Sequence, residues 1–512
     1  MKFSYRSRLR ILTFVGYKKL PDWASWTSGL FLGISSGLQV VSFVSIVSGL
    51  IGLTGTGSQT PELLVAGTCL GILGTYLFSI IRPPEQLRAS DIFAGFFSFA
   101  ISATLCSTLI FLIAGVTNQF DTALYEASVA LTTTALSTLD ISRLAPEIEF
   151  FRGILQWIGG LVVLILGAAI IPVVGTRSNP SAHIERNEAL SLGATRRTAV
   201  YSILAIYVPL SIILWFAYSL TGIGIFDGLL LAVSTVSTGG FLPQGNPLAN
   251  GAVQWIAIAG MCISGTSFVV LWRLARNKVG ELKSSLELRI YFLVLISLGL
   301  VLFLASGNYS LINLRSSFMV ISSAVSTTGF PAVIQGEWLP VFTVLILLIT
   351  AIGGMAGSAS GGFNIRSLII LLRLSVRELV RQLHPRSVVR IRIDDKPLSE
   401  STVEHAVVLQ FLFISVVVIT AVSSSIAGLD LFSAINASIH STATAGPIRS
   451  IEGDLVDPSL WTRPIRATLI PAMILGWLTI FPVLIAAGEF TSFLKGRLKS
   501  FRRQILMVKE RQ

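Results

Sequence analysis

Ser237-Thr238-Gly239-Gly240-Phe241 has three counterparts in this chain: Thr132-Thr133-Thr134-Ala135-Leu136, Ser326-Thr327-Thr328-Gly329-Phe330 and Ala443-Thr444-Ala445-Gly446-Pro447. Each follows a short helix-like stretch and precedes a long apolar one. Their last small residues, Ala135, Gly240, Gly329 and Gly446, stand 105, 89 and 117 residues apart. Glycine reaches backbone angles closed to other residues and lets chains crowd together. Four such loops in one polypeptide can surround one axis and offer carbonyl oxygens in place of an ion's water, as separate loops do in tetrameric cation filters. No Asp or Glu lies inside the loops, which favours neutral dipoles over a charged ring.

The rest of the chain suits a bilayer. Of its 512 residues only 12% are charged, about half the share of a soluble domain. Several apolar runs, the first at 23–53, 63–81 and 91–116, reach the ~20 residues a spanning helix needs. The net charge of +12 could suggest nucleic acid, but its placement does not. If loops alternate sides from a cytoplasmic N-terminus, all but six of the 38 Lys and Arg fall on inner segments. The six are Arg143, Arg152, Arg315, Arg449, Arg463 and Arg466. This is the positive-inside bias, and it predicts that both basic termini are cytoplasmic. The basic N-terminus followed by a long apolar stretch reads as an anchor, not as a cleaved leader.

An opening helix pair, 24–53 and 62–81, is expected to end at Arg82-Pro83-Pro84, since proline cannot continue a helix. Four units of one plan follow: a spanning helix, a short re-entrant helix, a Thr/Gly loop and a second spanning helix. Their segments are 91–116, 121–131, 132–137 and 150–175; 199–222, 225–236, 237–242 and 250–272; 288–306, 311–323, 326–331 and 338–372; and 404–427, 430–442, 443–448 and 464–490. The predicted fold is an all-α integral membrane protein with ten transmembrane helices, its four helix–pore-loop–helix repeats set around a pseudo-fourfold pore. The chain divides accordingly into 1–90, 91–198, 199–287, 288–403, 404–490 and a basic tail, 491–512.

Stretches 121–131 and 311–323 are too short to cross hydrocarbon. Irregular backbone at membrane depth survives only when buried in protein or lining a water-filled cavity, so the four loops are best satisfied around one aqueous path. A short helix ending at such a loop aims the negative end of its dipole at an ion. The longest polar segments, 176–198 and 373–403, face inward. The second, rich in arginine, suits either anionic lipid or a soluble partner.

Other chemistry has little support. Cys69, Cys106 and Cys262 lie in apolar stretches without metal-ligand spacing and read as packing thiols. The four histidines form no metal motif, and no catalytic or ATP-binding signature is present. His440, in the fourth pore helix, reads as a hydrogen-bonded structural residue.

Taken in order, certain motifs resemble a known family. They are Ser234-Thr235-Val236-Ser237-Thr238-Gly239-Gly240-Phe241, Ser326-Thr327-Thr328-Gly329-Phe330, Gln156-Trp157-Ile158-Gly159-Gly160, Gly353-Gly354-Met355-Ala356-Gly357-Ser358 and His384-Pro385-Arg386. Their order and spacing resemble the Trk/Ktr/HKT superfamily of potassium and sodium transporters, within it the bacterial TrkH-like branch with two extra N-terminal helices. The resemblance covers nearly the whole chain.

It implies a channel-like monovalent-cation uptake transporter of the plasma membrane, with potassium as substrate and the membrane potential as driving force. Sodium-permeable or sodium-preferring transport, or a non-conducting assembly or sensing subunit, are the alternatives. No bound cofactor is expected. The family implies a homodimer with one pore per subunit and a cytosolic nucleotide-binding regulatory subunit. The ion would meet Thr133, Thr134, Ala135, Thr238, Gly239, Gly240, Thr327, Thr328, Gly329, Thr444, Ala445 and Gly446. The family's gate maps onto Gly353, Gly354, Gly357, Ser358, Ser360, Gly361 and Gly362. Closely spaced glycines also weaken a helix and allow a break, although small residues can instead serve helix packing.

Three departures from the family stand out. Ala135 replaces the first filter's glycine; in the plant branch a serine at that place accompanies sodium preference. A methyl there should disfavour a left-handed backbone and narrow the approach to the axis. Trp477 and Thr479 stand where relatives usually have an arginine, facing the pore below the filter, and a glutamate. Asn364 replaces a usual lysine. Weaker discrimination between potassium and sodium, altered gating and a different regulator are the corresponding expectations.

Overall fold

Helix α1 (Asp22–Gly52) is held between α2 (Thr60–Ile80) and α3 (Ala89–Ile113) by small residues. A Cβ on Gly29, Gly33 or Gly37 would collide with Asp91, with Gly95 and Ser98, or with Ser102 of α3. On its other side Ser35, Ser42 and Ser45 donate to the carbonyls of Gly74, Gly67 and Leu63 at 3.2, 2.7 and 2.7 Å. Lipid tails are as apolar as leucine, so close backbone approach and hydrogen bonds must hold such helices together. These observations come from a computed structural model, which describes residues 22–53, 59–81, 89–175, 196–276, 285–335, 338–386, 389–394 and 396–480. The Arg82-Pro83-Pro84 stop, the inner loop over 176–195 and the basic tail lie outside the described residues.

Unit one comprises α3, pore helix α4 (Phe120–Leu131) and α5 (Pro146–Gly175). Unit two has α6 (Arg196–Tyr218), pore helix α7 (Ile225–Val236), α8 (Gly251–Ser264) and α9 (Phe268–Ala275). Unit three has α10 (Leu286–Ala305), pore helix α11 (Leu311–Ser326), α12 (Pro340–Ile352) and α13 (Ile365–Leu383). Unit four has α14 (Glu400–Ile426), pore helix α15 (Leu431–Thr442) and α16 (Arg463–Trp477). Among the described residues seven helices are long and apolar enough to cross a membrane, eight if α8 and α9 form one span. The chain is an all-helical, multi-pass membrane protein with one short hairpin, β1 (Arg392–Ile393) and β2 (Lys396–Pro397).

The structure departs from the sequence reading at four places. The second helix of unit two breaks at Gly265-Thr266-Ser267, and α9 turns 99° from α8. The interruption of unit three's second helix from 353 to 364 is, by contrast, the break its glycines were expected to allow. The last helix, expected to run to 490, ends at Trp477, where Thr479 and Ile480 take φ of 56° and 60°. Segment 373–403 is helical as far as Leu383 before it forms the hairpin, and Arg377 ties it to Glu400 at 2.7 Å. Cys69 is exposed, not packed, because α2 leaves one of its faces uncovered.

Five of the six arginines expected outside contact another unit, and together they span the four seams between units. Arg152 of unit one lies 4.3 Å over the Phe241 ring of unit two. Arg315 of unit three donates to Gln254 of unit two at 2.6 Å. Arg449 of unit four donates to the Ala332 carbonyl of unit three and lies 5.2 Å over the Trp338 ring. Arg466 of unit four donates to Asp121 and Thr122 of unit one at 3.0 and 3.1 Å, closing the ring. A guanidinium out of water persists only where its charge is paired or hydrogen-bonded, so these contacts specify which unit neighbours which. Arg463, more exposed, lies 3.7 Å from Asp121 at the same seam as Arg466, whereas Arg143 pairs with Asp140 at the surface of its own unit.

Candidate ion pathway

Each pore helix ends in the same turn. Thr133, Thr238, Thr327 and Thr444 have φ of 56°, 52°, 56° and 48°. Their amides donate to Ala130, Thr235, Ala324 and Ser441 at 3.3–3.4 Å. The following amides, of Thr134, Gly239, Thr328 and Ala445, reach back to Val129, Ser234, Ser323 and His440 at 2.8–3.0 Å. This is a helix C-cap closed by a left-handed residue, normally glycine. Threonine in that region costs about 1–3 kcal/mol and persists only where its surroundings impose it. Threonine makes the C-cap turn in all four loops, and its hydroxyl is what the position gains; glycine takes the left-handed backbone further on, at Gly240 and Gly329.

Beyond the turns the four chains converge. A Cβ built on Gly240, Gly329 or Gly446 would lie 2.5, 2.5 or 2.8 Å from the Ala135 methyl. Ala135 is thus the one side chain among four backbones that meet at a point. Ala135 and Gly446 are not left-handed, whereas Gly240 and Gly329 are, at 78° and 87°. The expected backbone penalty at Ala135 is absent, and only its methyl distinguishes it. Units one and three pair threonine and serine hydroxyls across the turn, Thr132 with Thr134 at 2.9 Å and Ser326 with Thr328 at 2.7 Å. Units two and four have Gly239 and Ala445 at the position of Thr134 and Thr328.

The frame behind the loops is polar and buried. Gln156 donates to the Gly239 carbonyl at 2.6 Å, so one loop carbonyl is held by α5. Tyr125 donates to the Leu136 carbonyl at 2.9 Å. Glu126, fully buried, accepts from Ser137, from Thr138 and from Arg152 at 3.3 Å. His440 is buried, with Nδ1 3.0 Å from the Asn436 carbonyl, a structural contact. Sequence reasoning quoted Gln156 as part of a motif but missed its task, and it missed Glu126 and Tyr125. A glutamate inside an otherwise apolar, small-residue pore helix was the available signal.

The Gly/Ser run between α12 and α13 lies against three of the four threonines. The Thr238 hydroxyl donates to Ala359 at 2.9 Å, and the Gly361 amide donates to the Thr327 hydroxyl at 2.8 Å. A Cβ on Gly361 would meet the Ala443 carbonyl and, at 2.5 Å, the Thr444 hydroxyl. The loop's backbone is satisfied by the break in unit two. Met355 donates to Gly265 at 3.0 Å, Ala359 to Ser264 at 3.4 Å, and Phe268 to Gly357 at 2.9 Å. Two interrupted helices thereby satisfy each other's freed peptide groups, the condition for irregular backbone at this depth. Gly353, Gly357 and Gly362 are left-handed; Gly354 accepts from Ile365, and Ser358 and Ser360 share a 2.5 Å hydrogen bond.

The three departures have local explanations. Asn364 takes φ of 62° and caps α13, accepting from Ser367 at 3.0 Å. Asparagine makes a good N-cap, which lysine does not. Trp477 is buried and donates to the Gly159 carbonyl at 3.3 Å, tying unit four to unit one. Thr479 repeats the filter threonines' turn at the end of α16, its amide donating to Gly476 at 3.0 Å.

The model of the TrkH family, described as cation transport proteins, matches residues 67–321 and 310–492. The Trk system potassium uptake protein TrkH of Halomonas elongata is 28% identical over 389 residues, 71% of this chain and 77% of that protein. TrkH of Vibrio parahaemolyticus is 28% identical over 429 residues, 79% of this chain and 86% of that protein. TrkH of Escherichia coli K12 is 26% identical over 389 residues. The crystal structure of the potassium transporter TrkH from Vibrio parahaemolyticus superposes with a TM-score of 0.79 at 24% identity, covering 90% of this chain and 98% of that one, a likeness of fold. Matched over most of its length by the family's model, the chain belongs to the TrkH family of cation transport proteins.

Proposed function

We propose that this chain carries monovalent cations, potassium first, into the cell through the axis where Ala135, Gly240, Gly329 and Gly446 meet. The convergence of four like turns on one point is the observation that supports the reading, together with the potassium uptake named for its relatives. As a family member the chain is a transporter and not an enzyme. In this reading carbonyl and hydroxyl oxygens of the turns replace the ion's water. The C-terminal ends of four pore helices lower the cost of a cation there. An inward-negative potential supplies ~2.3 kcal/mol per charge per 100 mV. The Gly/Ser loop against Thr238, Thr327 and Thr444 is then the gate.

The position of the Ala135 methyl favours a second feature, weaker discrimination between potassium and sodium than four glycines would give. The proposal also includes a bacterial inner-membrane location with both termini cytoplasmic, a homodimer with one pore per subunit, and a cytosolic nucleotide-binding regulator. The test is purified chain in liposomes, with potassium and sodium flux measured in turn under an inside-negative potential. Potassium flux exceeding that of protein-free liposomes is expected. Absence of flux for both ions, in the wild type and in a chain lacking 356–360, would identify a non-conducting subunit.

A further inference from the structure

Glu287, in the first turn of α10, is buried, and its Oε1 accepts a 2.7 Å hydrogen bond from the backbone amide of Ala356. Ala356 stands inside the Gly/Ser loop, three residues before Ala359, which receives the Thr238 hydroxyl. The neighbouring Leu286 is tied in another direction. Its amide donates to Asp394 Oδ1 at 2.7 Å. Asp394 lies at the turn between β1 and β2, with φ of 50°, and Ile391 and Ile393 anchor that hairpin in the core. Consecutive residues therefore connect the hairpin, on the face proposed as cytoplasmic, to the loop beneath the filter.

A carboxylate bonded to an amide is a charge-assisted contact, stronger than a neutral one. If the loop withdrew while Glu287 stayed, the buried carboxylate would lose a donor, which is costly. Movement of the α10 N-terminus would release loop and carboxylate together. We propose that Glu287 is a positioning residue that latches the loop against the filter, and that the hairpin sets the latch through Asp394. The inference rests on reading the loop as the gate.

The experiment is rubidium flux into liposomes holding the full chain. Glu287→Ala should raise resting flux roughly tenfold, equal to ~1.4 kcal/mol in the loop's equilibrium. Glu287→Gln keeps an acceptor oxygen, and its flux should lie closer to wild type, a rescue that a purely space-filling role would not single out. Ala356→Pro removes the donor of the same bond. It should raise flux alone and add nothing to Glu287→Ala. Asp394→Ala should act in the same direction. Wild-type flux in Glu287→Ala, or additivity with Ala356→Pro, would overturn the latch. Should Glu287→Ala not fold, Ala356→Pro and Asp394→Ala carry the same decision. Deleting 356–360 separates the two failures: raised flux there with none in the point variants defeats the latch alone, and unchanged flux in the deletion defeats the gate reading itself.

Discussion

The Thr238 hydroxyl donates to the Ala359 carbonyl at 2.9 Å, across 121 residues of sequence. One threonine thereby closes the filter turn of unit two and touches the loop of unit three. Gly361 and Thr327 repeat the relationship at 2.8 Å. Turn and loop are in direct contact, so a change in one is felt in the other without an intermediary. A typical hydrogen bond contributes about 1 kcal/mol. Thr238→Ala should therefore raise rubidium flux about fivefold. Flux equal to wild type in a folded variant would show that the bond does not hold the loop.

Ala135 tests the axis. Ala135→Gly should raise the potassium-to-sodium permeability ratio and leave the melting temperature nearly unchanged, because Ala135 is not left-handed. Ala135→Val adds bulk where three other backbones already meet, and overpacking of this kind costs about 1–3 kcal/mol. Its flux should fall to background. Bi-ionic flux measurements in liposomes decide both, and unchanged conduction in Ala135→Val would place the ion path elsewhere.

Gln156 tests the frame. Its loss leaves the Gly239 carbonyl without the 2.6 Å donor. An unsatisfied buried group costs about 1–3 kcal/mol. Gln156→Leu should lower thermal stability in detergent, and a freed Gly239 carbonyl should reduce ion discrimination. A variant with normal stability and selectivity would show that the contact is dispensable.

Arg152 tests the buried ion pair of unit one. Removing it leaves Glu126 buried beside an absent charge, and breaking a buried pair costs about 3–5 kcal/mol. Arg152→Ala should be strongly destabilised or poorly expressed. Arg143→Ala is the control: its ion pair with Asp140 is exposed, and such surface changes stay within about 0.5 kcal/mol. Equal thermal stability of the two variants would show that the buried pair with Glu126 does not hold unit one together.

Much of this architecture was legible without coordinates. Helix length against bilayer thickness separates spanning from re-entrant segments, a comparison local to each segment, and so α7 begins and ends where periodicity and turn residues put it. The Gly/Ser run announced an interruption because glycine weakens any helix that contains it.

What remained hidden depends on neighbours remote in sequence. That a threonine turns left-handed at the end of every pore helix follows from surroundings that enforce a strained angle four times. That Gly265-Thr266-Ser267 breaks a helix follows from the loop of another unit supplying donors and an acceptor to its freed backbone. The outer arginines look alike as letters; their pairing with Phe241, Gln254, Ala332 and Asp121 exists only once the ring closes. The sequence by itself determined the class of protein and the place of most helices and of the four Thr/Gly turns, since hydropathy and backbone propensity act over a few residues. Only the tertiary structure decided which atoms meet at the axis, because buried polar groups must find partners wherever the fold supplies them.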